Sequence, residues 1–546
     1  MRRDGQSRWP ASYAAAYLGA GYWRRQVLGD LPDRWAARAG DDVAVIADGR
    51  SHTYAELAEA SSAVAAHLSE LGLHDGDNVI LQVPNCWEFV PLVLGCARLG
   101  VAPVMALPAY REHELSHLAE VSEPAAVVVP AHYRGFDHEA LAHRVASRWG
   151  RACRVLVVGE PAMPDSVALR TQARNPGGAG PEQRPAPDDV ALLLLSGGTT
   201  GGLPKLIART HDDYEYNFRR MGELCGFDEH TVYLVVLPAG HNFALGCPGI
   251  LGTLAAGGTV VILPTPEPEA AFAAIERHRV TAVAMVPAVA QRWLTHHDPA
   301  RFDLSSLSLV QVGGARCPAE VAVRLTDAFG CTVQQVYGMA EGLLNCTRLD
   351  DPADVIAATQ GRPVSPADEI RIVGPGGEPA DEGELLTRGP CTPRGYFRGG
   401  AHNLAGFTAD GWYRTGDVVQ VHSSGNLVVR GRTKEVINRA GEKIAAAEIE
   451  DLARLIPQVT AAAAFPVPDA STGERLCLCV VLRPGTTLTL DEVATVFTGK
   501  GVAGFKIPEQ LEVLDEIPLT PVGKVDKRRL RERFAAAGPA RGHRQR

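Results

Sequence analysis

Ser196 to Lys205 reads SGGTTGGLPK and follows directly on the apolar run ALLLL. Glycines leave backbone N–H groups uncovered and free to curl around an anion, while hydroxyls at Ser196, Thr199 and Thr200 add donors and Lys205 adds charge. Such a run suits the β- and γ-phosphates of ATP. It is not a Walker loop, because Leu203 and Pro204 separate the last glycine from the lysine. As a bare glycine-rich turn it would serve equally as a hairpin connection. Further along, Glu341 in MAEG, Asp417 in YRTGD and Lys524 in PVGKVDK each put one charge in a glycine-bearing turn. A carboxylate is a hard oxygen ligand for a divalent cation, and a glycine before a lysine lets a loop enter a crowded site. Taken singly, the three would read as a solvated acid, a turn and an exposed lysine.

They do not stand singly. LPAGHNF (237–243), QQVYGMAEG (334–342), YRTGD (413–417), GRTKEVINRAGEKI (431–444) and PVGKVDK (521–527) follow the phosphate run in a fixed order. Together they resemble the adenylate-forming superfamily of acyl-CoA ligases, luciferases and peptide-synthetase adenylation domains, over nearly the whole chain. The resemblance implies ATP and Mg2+ as cofactors. It assigns the phosphates to Ser196, Gly197, Gly198, Thr199, Thr200, Gly201 and Lys205, and Mg2+ to Glu341. It lines the adenine with Gly314, Ala315, Val336 and Tyr337, counts Gly338 and Met339 to the nucleotide site, and sets Asp417 on the ribose hydroxyls with Arg432 as a second ribose or phosphate contact. Lys524 becomes the catalytic lysine that bridges substrate carboxylate and α-phosphate, acting with Lys205 and Glu341. Lys434 becomes the hinge about which a small domain reorients after adenylation.

Within that superfamily, HNF together with EGLLNCTRLDD (341–351) looks like the branch that activates 2,3-dihydroxybenzoate or salicylate for siderophore assembly. The resemblance sets Asn242 at the ortho-hydroxyl and carboxylate, His241 and Phe243 beside the ring, and Cys247 and Leu344 at its far edge. Dihydroxybenzoate enzymes carry a serine and a valine at the last two positions. Cysteine is a poor hydrogen-bond partner, so a buried 3-hydroxyl would lose about 1–3 kcal/mol, and leucine adds a methylene; both favour salicylate. Gly240 and Gly246 point the other way, since they replace bulkier residues and suggest room for a substituted salicylate or a hydroxynaphthoate of a polyketide pathway. The acyl acceptor is a thiol, either the phosphopantetheine of a separate aryl carrier protein or CoA. Two other classes stay in view, a catalytically silent nucleotide-binding relative and a luciferase-like oxygenase; retention of Lys524, Glu341 and the loop hydroxyls opposes the first, and an aryl-acid pocket around Asn242 the second.

The elements that must position these residues follow from patterning. A chain of 546 residues predicts roughly two to four compact units. Hydrophobic residues at 46% and charged residues at 21% exclude disordered and fibrous classes, and a net charge of -9 opposes a nucleic-acid binder. Eleven cysteines without metal-ligand spacing read as reduced thiols of a cytoplasmic protein, and Cys477 and Cys479 lie in a strand-like run. The uncharged stretch Leu237–Pro266 is broken by His241 and by Gly and Pro, so it reads as loop, helix, turn and strand rather than a membrane span. DVAVIA, NVILQV, AAVVVP, RVLVVG, ALLLL, TVYLVV, GTVVILP, TAVAMVP and LSLVQVGG predict strands alternating with helices, including one opened by a Thr53/Glu56 capping box and one over 87–99. NPGGAGPEQRPAP (175–187) predicts a surface connection, and GPARGHRQR a frayed tail. The expected fold class is α/β: a large N-terminal region of layered α/β sheets (1–431) and a small mobile C-terminal α+β domain (432–546), with the active site between them.

Overall fold

The computed structural model describes residues 8–149, 153–172, 184–196, 204–433, 436–439, 442–469, 473–500, 502, 504–521 and 523–535. The chain divides into two compact units, the first comprising the described residues up to Glu369 together with Thr387–Tyr413, the second Ile370–Leu386 and the described residues from Arg414 on. Most of the glycine- and proline-rich connection and the basic tail lie outside the described residues.

In the first unit the predicted apolar runs are strands of two large sheets. One is nine-stranded, and its parallel centre runs in the order Thr332–Gly338, Leu309–Gly313, Ala282–Met285, Val232–Val235, Thr259–Ile262 and Val43–Ala47. The other is seven-stranded, with Val190–Leu195, Ala102–Met105, Asn78–Leu81, Ala126–Pro130 and Arg154–Val158 parallel and Leu206–Thr210 antiparallel at the edge. These strands are continuous apolar runs because helices cover both faces, as the complete burial of Ala126–Pro130 illustrates. Helix Tyr54–Glu70 opens on the expected box, with Glu56 N donating to Thr53 Oγ1 at 3.2 Å and Thr53 N donating to Glu56 Oε2 at 2.8 Å. The stretch after Leu237 resolves into helix Asn242–Gly246, helix Gly249–Ala256 and strand Thr259–Ile262, and no helix among the described residues is long and apolar enough to cross a membrane.

The chain enters this unit through an aromatic lead. Trp9, Tyr13 and Tyr17 precede Trp23, with Tyr17 and Trp23 buried, and the guanidinium groups of Arg388 and Arg394 lie 5.1 and 4.8 Å from the Tyr13 ring centroid. Trp9 Nε1 donates to Gly389 O at 3.2 Å. Beside this cluster the Asp368 carboxyl has its Oδ1 sealed from solvent without a hydrogen-bond partner.

The second unit holds most of a four-stranded sheet, Glu369–Val373, Glu382–Arg388, Tyr413–Val421 and Leu427–Arg432, of which Glu369, Thr387, Arg388 and Tyr413 fall to the first unit. A five-stranded sheet follows, in which the long hairpin Val459–Asp469 and Gly473–Leu482 packs against helices Ala446–Arg454, Leu490–Gly499 and Lys527–Ala535. Cys477 and Cys479 are buried on that hairpin, and none of the eleven cysteines is in a disulfide.

Candidate active site

The phosphate run falls between Val190–Leu195 and its antiparallel partner Leu206–Thr210. Its base is closed twice: Ser196 N donates to Lys205 O at 3.0 Å, and Lys205 N donates to Ser196 Oγ at 3.0 Å. Gly197, Gly198, Thr199, Thr200 and Gly201 lie outside the described residues. The Lys205 ammonium lies 4.4 Å from the centroid of the Tyr396 ring, a cation–π contact. The Tyr396 hydroxyl in turn donates to Glu341 Oε1 at 3.1 Å and lies 3.2 Å from the Tyr413 hydroxyl. One phenol is thus bracketed by the predicted phosphate cation and the predicted metal carboxylate. No group of three potential metal ligands occurs among the described residues, and Glu341 is the carboxylate that would be offered to Mg2+ here. That fits the ion, which commonly takes one or two carboxylates and fills its shell with phosphate and water oxygens.

The residues assigned to the adenine gather at the carboxyl ends of two parallel neighbours, where open α/β sheets bind ligands. Gly313 lies opposite Val336, with Gly314 and Ala315 following one strand and Gly338 and Met339 at the end of the other. Tyr337 is half-buried on the second strand. Both glycines at these ends are sites of close approach. A Cβ on Gly313 would stand 3.0 Å from the Phe243 ring, and one on Gly338 would stand 2.4 Å from Leu344 Cδ2. Two residues assigned to the aryl acid therefore pack directly against the strands assigned to the adenine.

The aryl-acid motif caps its own short helix. His241 is the N-cap, accepting from Phe243 N through Nδ1 at 3.3 Å, and Asn242–Gly246 follows. Asn242 is only 8% exposed; it accepts at Oδ1 from the Tyr214 hydroxyl at 2.9 Å and donates through Nδ2 to Cys247 Sγ at 3.4 Å. Burial pushes the Cys247 thiol up to about 12, so it is a neutral S–H at working pH. The two glycines differ. Around Gly240 an added Cβ would meet Met105 and Phe89 at an ordinary 3.8 Å, so a methyl's worth of space is free there. At Gly246 it would meet Tyr214 Oη at 2.6 Å, so the volume vacated by the missing side chain holds the Tyr214 ring rather than room for a larger acid.

Beneath this pocket lies a buried ionic network that motif reading did not single out. Arg209, fully buried on strand Leu206–Thr210, donates to Asp213 Oδ1 at 2.6 Å, to Asn217 Oδ1 at 3.3 Å and to Ala340 O at 3.2 Å. Burial opposes its charge, but the Asp213 carboxylate outweighs it and holds the guanidinium protonated. Asn217 passes the connection on, donating to Gly246 O at 2.6 Å. Arg209, Asp213, Tyr214 and Asn217 come from one strand end and the first two turns of helix His211–Leu224, which Thr210 caps. One cation thereby ties MAEG to the HNF helix.

In the second unit, Asp417 and Arg432 are opposite one another on antiparallel strands and form an ion pair of 2.7 Å, with Asp417 buried. Lys524 closes a tight turn in which Thr520 N donates to Lys524 O at 2.6 Å and Lys524 N donates to Thr520 Oγ1 at 3.1 Å. Gly523 takes φ +79° there, the left-handed conformation that makes a glycine before this lysine useful. Lys434 lies outside the described residues.

A family model for the AMP-binding enzymes matches residues 32–397, and one for the AMP-binding enzyme C-terminal domain matches residues 448–524. The chain belongs to the AMP-binding, adenylate-forming enzymes. Such enzymes use ATP and Mg2+ and pass an acyl group to a CoA or carrier-protein thiol. This adenylate-forming chain is 51% identical to a salicylyl-CoA synthase/salicylate adenylyltransferase of a Streptomyces species, over 97% of its own length and 98% of that protein. It is 48% identical to the 2-hydroxy-7-methoxy-5-methyl-1-naphthoate–CoA ligase of Streptomyces carzinostaticus, over 97% and 96% of the two chains. Among solved structures it resembles apo MbtA of Mycobacterium smegmatis, at 44% identity and TM-score 0.74, covering 97% of this chain and 98% of that one. Of the site's neighbours that motif reading missed in the adenylate-forming chain, Arg209, Tyr214 and Asn217 had a faint signal, a charged residue near the end of an apolar strand just before a Thr-x-x-Asp box, and Tyr396 had none.

Proposed function

We propose that the enzyme activates salicylate, or a close ortho-hydroxy aryl acid, to its aryl-adenylate with release of pyrophosphate, and then hands the acyl group to a thiol. The observation that carries this reading is the Asn242–Cys247 pair, in which the amide that would meet the ortho substituent rests on a neutral, buried thiol. A thiol offers a 3-hydroxyl little, which disfavours 2,3-dihydroxybenzoate, and the 51% identical relative is named for salicylate. The carboxylate of the acid attacks the α-phosphate. Lys524 neutralises charge as that bond forms, while Lys205, Ser196 and the loop glycines and threonines hold the β- and γ-phosphates. Mg2+ at Glu341 would supply further neutralisation of the triphosphate. Asp417 and Arg432 take the ribose, and Phe243, His241 and Leu344 enclose the ring. Domain reorientation about Lys434, between regions 1–431 and 432–546, opens the way for CoA or a carrier phosphopantetheine. The eleven unbridged cysteines support a cytoplasmic setting.

A second reading has one observation in its favour. The free space beside Gly240 would admit a substituent on the ring, as in a substituted salicylate or a hydroxynaphthoate, and a 48% identical relative is named for a naphthoate. Exchange of labelled pyrophosphate into ATP, measured with salicylate, 2,3-dihydroxybenzoate, 6-methylsalicylate, hydroxynaphthoates and benzoate, separates the two. Salicylate should give the highest kcat/KM. A clear preference for the larger acids would replace the first reading by the second, and exchange with benzoate equal to that with salicylate would remove both.

A further inference from the structure

Asn242 is a two-faced side chain: its Oδ1 accepts and its Nδ2 donates, so the pocket's polarity depends on which end the protein holds. The structure settles that choice from behind. The Tyr214 hydroxyl, on a ring fully buried in helix His211–Leu224, donates to Oδ1 at 2.9 Å. The opposite end of the amide, Nδ2, donates one of its two hydrogens to Cys247 Sγ at 3.4 Å. Tyr214 itself cannot shift freely. Its ring fills the volume left by Gly246, where a Cβ would stand 2.6 Å from Oη and 2.8 Å from Cζ, and the Arg209 guanidinium lies 5.0 Å from its centroid. Burial raises its ionisation far above the usual phenol range, so it stays a hydrogen-bond donor at any working pH.

We propose that Tyr214 is a positioning residue that sets the polarity of the aryl-acid pocket, committing Asn242 to present N–H so that the enzyme selects acids carrying an acceptor at the ortho position. The proposal rests on the reading that Asn242 meets the ortho substituent. Salicylate fits such a pocket. Its phenolic hydrogen bonds internally to its own carboxylate, which leaves the lone pairs of the phenolic oxygen facing outward as acceptors. Anthranilate has nearly the same shape with the opposite polarity: one amino hydrogen bonds the carboxylate and the other points outward as a donor. Set against the Asn242 N–H, two donors meet in a buried site and both go unsatisfied. Shape alone would separate these two acids poorly; polarity separates them well.

The test is pyrophosphate exchange with salicylate and anthranilate for the wild-type enzyme, Tyr214→Phe and Gly246→Ala. The first variant removes one hydroxyl and frees the amide to turn its Oδ1 toward the acid. The second adds a methyl that pushes the Tyr214 hydroxyl off Asn242. In both, the ratio of kcat/KM for anthranilate over salicylate should rise about tenfold, the change residing mainly in KM. A purely structural role would depress both acids together and leave the ratio unmoved. An unmoved ratio in the two variants, with wild-type exchange on salicylate intact, overturns the role of Tyr214 alone. Wild-type enzyme that exchanges with no ortho-hydroxy acid overturns the substrate reading and the proposal with it.

Discussion

At the scale of single residues, the proposed selectivity rests on what a neutral thiol cannot do. Cys247 is buried, its thiol is pushed up to about 12 by that burial, and its sulfur already receives an Asn242 N–H. Cys247→Ser replaces a weak acceptor by a hydroxyl that can both accept from Asn242 and donate to a 3-hydroxyl. We expect the kcat/KM for 2,3-dihydroxybenzoate relative to salicylate to rise by about 5- to 150-fold, the range that one buried hydrogen bond of about 1–3 kcal/mol allows. Competition between the two acids in a single exchange assay reads that ratio directly; no change would mean that Cys247 does not face the 3-position. In the proposed pocket Leu344 would act by volume instead, and it is braced: its Cδ2 occupies the space that a Cβ on Gly338 would need.

At the scale of elements, ionisable groups are buried in two places where their charge is costly, and each has a measurable consequence. The Arg209–Asp213 pair is fully buried, so loss of either partner would strand a charge at a cost of about 3–5 kcal/mol. The loop before Glu369 carries Asp368, whose carboxyl is raised by burial to about 8 and bonded weakly through Ser365 N at 3.4 Å. Its folded pKa lies above its unfolded value of about 3.9, so the folded state binds the extra proton between those limits. Stability should therefore fall as pH rises from about 4 to about 8, with a limiting slope of about 1.4 kcal/mol per pH unit from this group. Asp368→Asn keeps the shape without the titration, and its Tm should lose that decline; a Tm profile parallel to wild type across this window would remove Asp368 as the cause.

Elements also show what a sequence discloses. Capping boxes and apolar parallel strands are local in cause, and Thr53/Glu56 and Ala126–Pro130 were readable because neighbours in sequence make them. The helix expected from Trp87 begins at Phe89, a difference of the size that fraying ends produce. The family motifs disclosed most of the candidate site by the same logic, each being a contiguous run. What stayed hidden was tertiary. Arg209 looks like a stray charge until Ala340 O and Asn217 are beside it, and Gly246 looks like spare room until the Tyr214 ring is seen in it. The antiparallel partnership of Leu206–Thr210 with Val190–Leu195 was equally silent, since pairing direction is not written in hydrophobic pattern.

At the scale of the whole molecule, the chemistry is divided between units with separate cores. The residues proposed for the aryl acid, together with Ser196, Lys205 and Glu341, belong to the first unit, and Lys524 belongs to the second, on a turn fixed by Thr520 and Gly523. Lys524→Ala removes an amine and changes no residue of the Asn242 pocket. We expect adenylate formation to fall by at least about 100-fold, as loss of a transition-state charge partner does, while thiol transfer from preformed aryl-adenylate stays close to wild type. Single-turnover assays of the two half-reactions decide this, and equal loss in both would refute a division of labour between them.

The aromatic lead at the start of the chain has a bearing on how the protein is made. Trp9 and Tyr13 precede by more than 370 positions the Gly389 carbonyl and the Arg388 and Arg394 cations they rest on. Those contacts can form only once the ribosome has made the chain as far as Arg394, so this segment must wait for residues remote in sequence before it is fully seated.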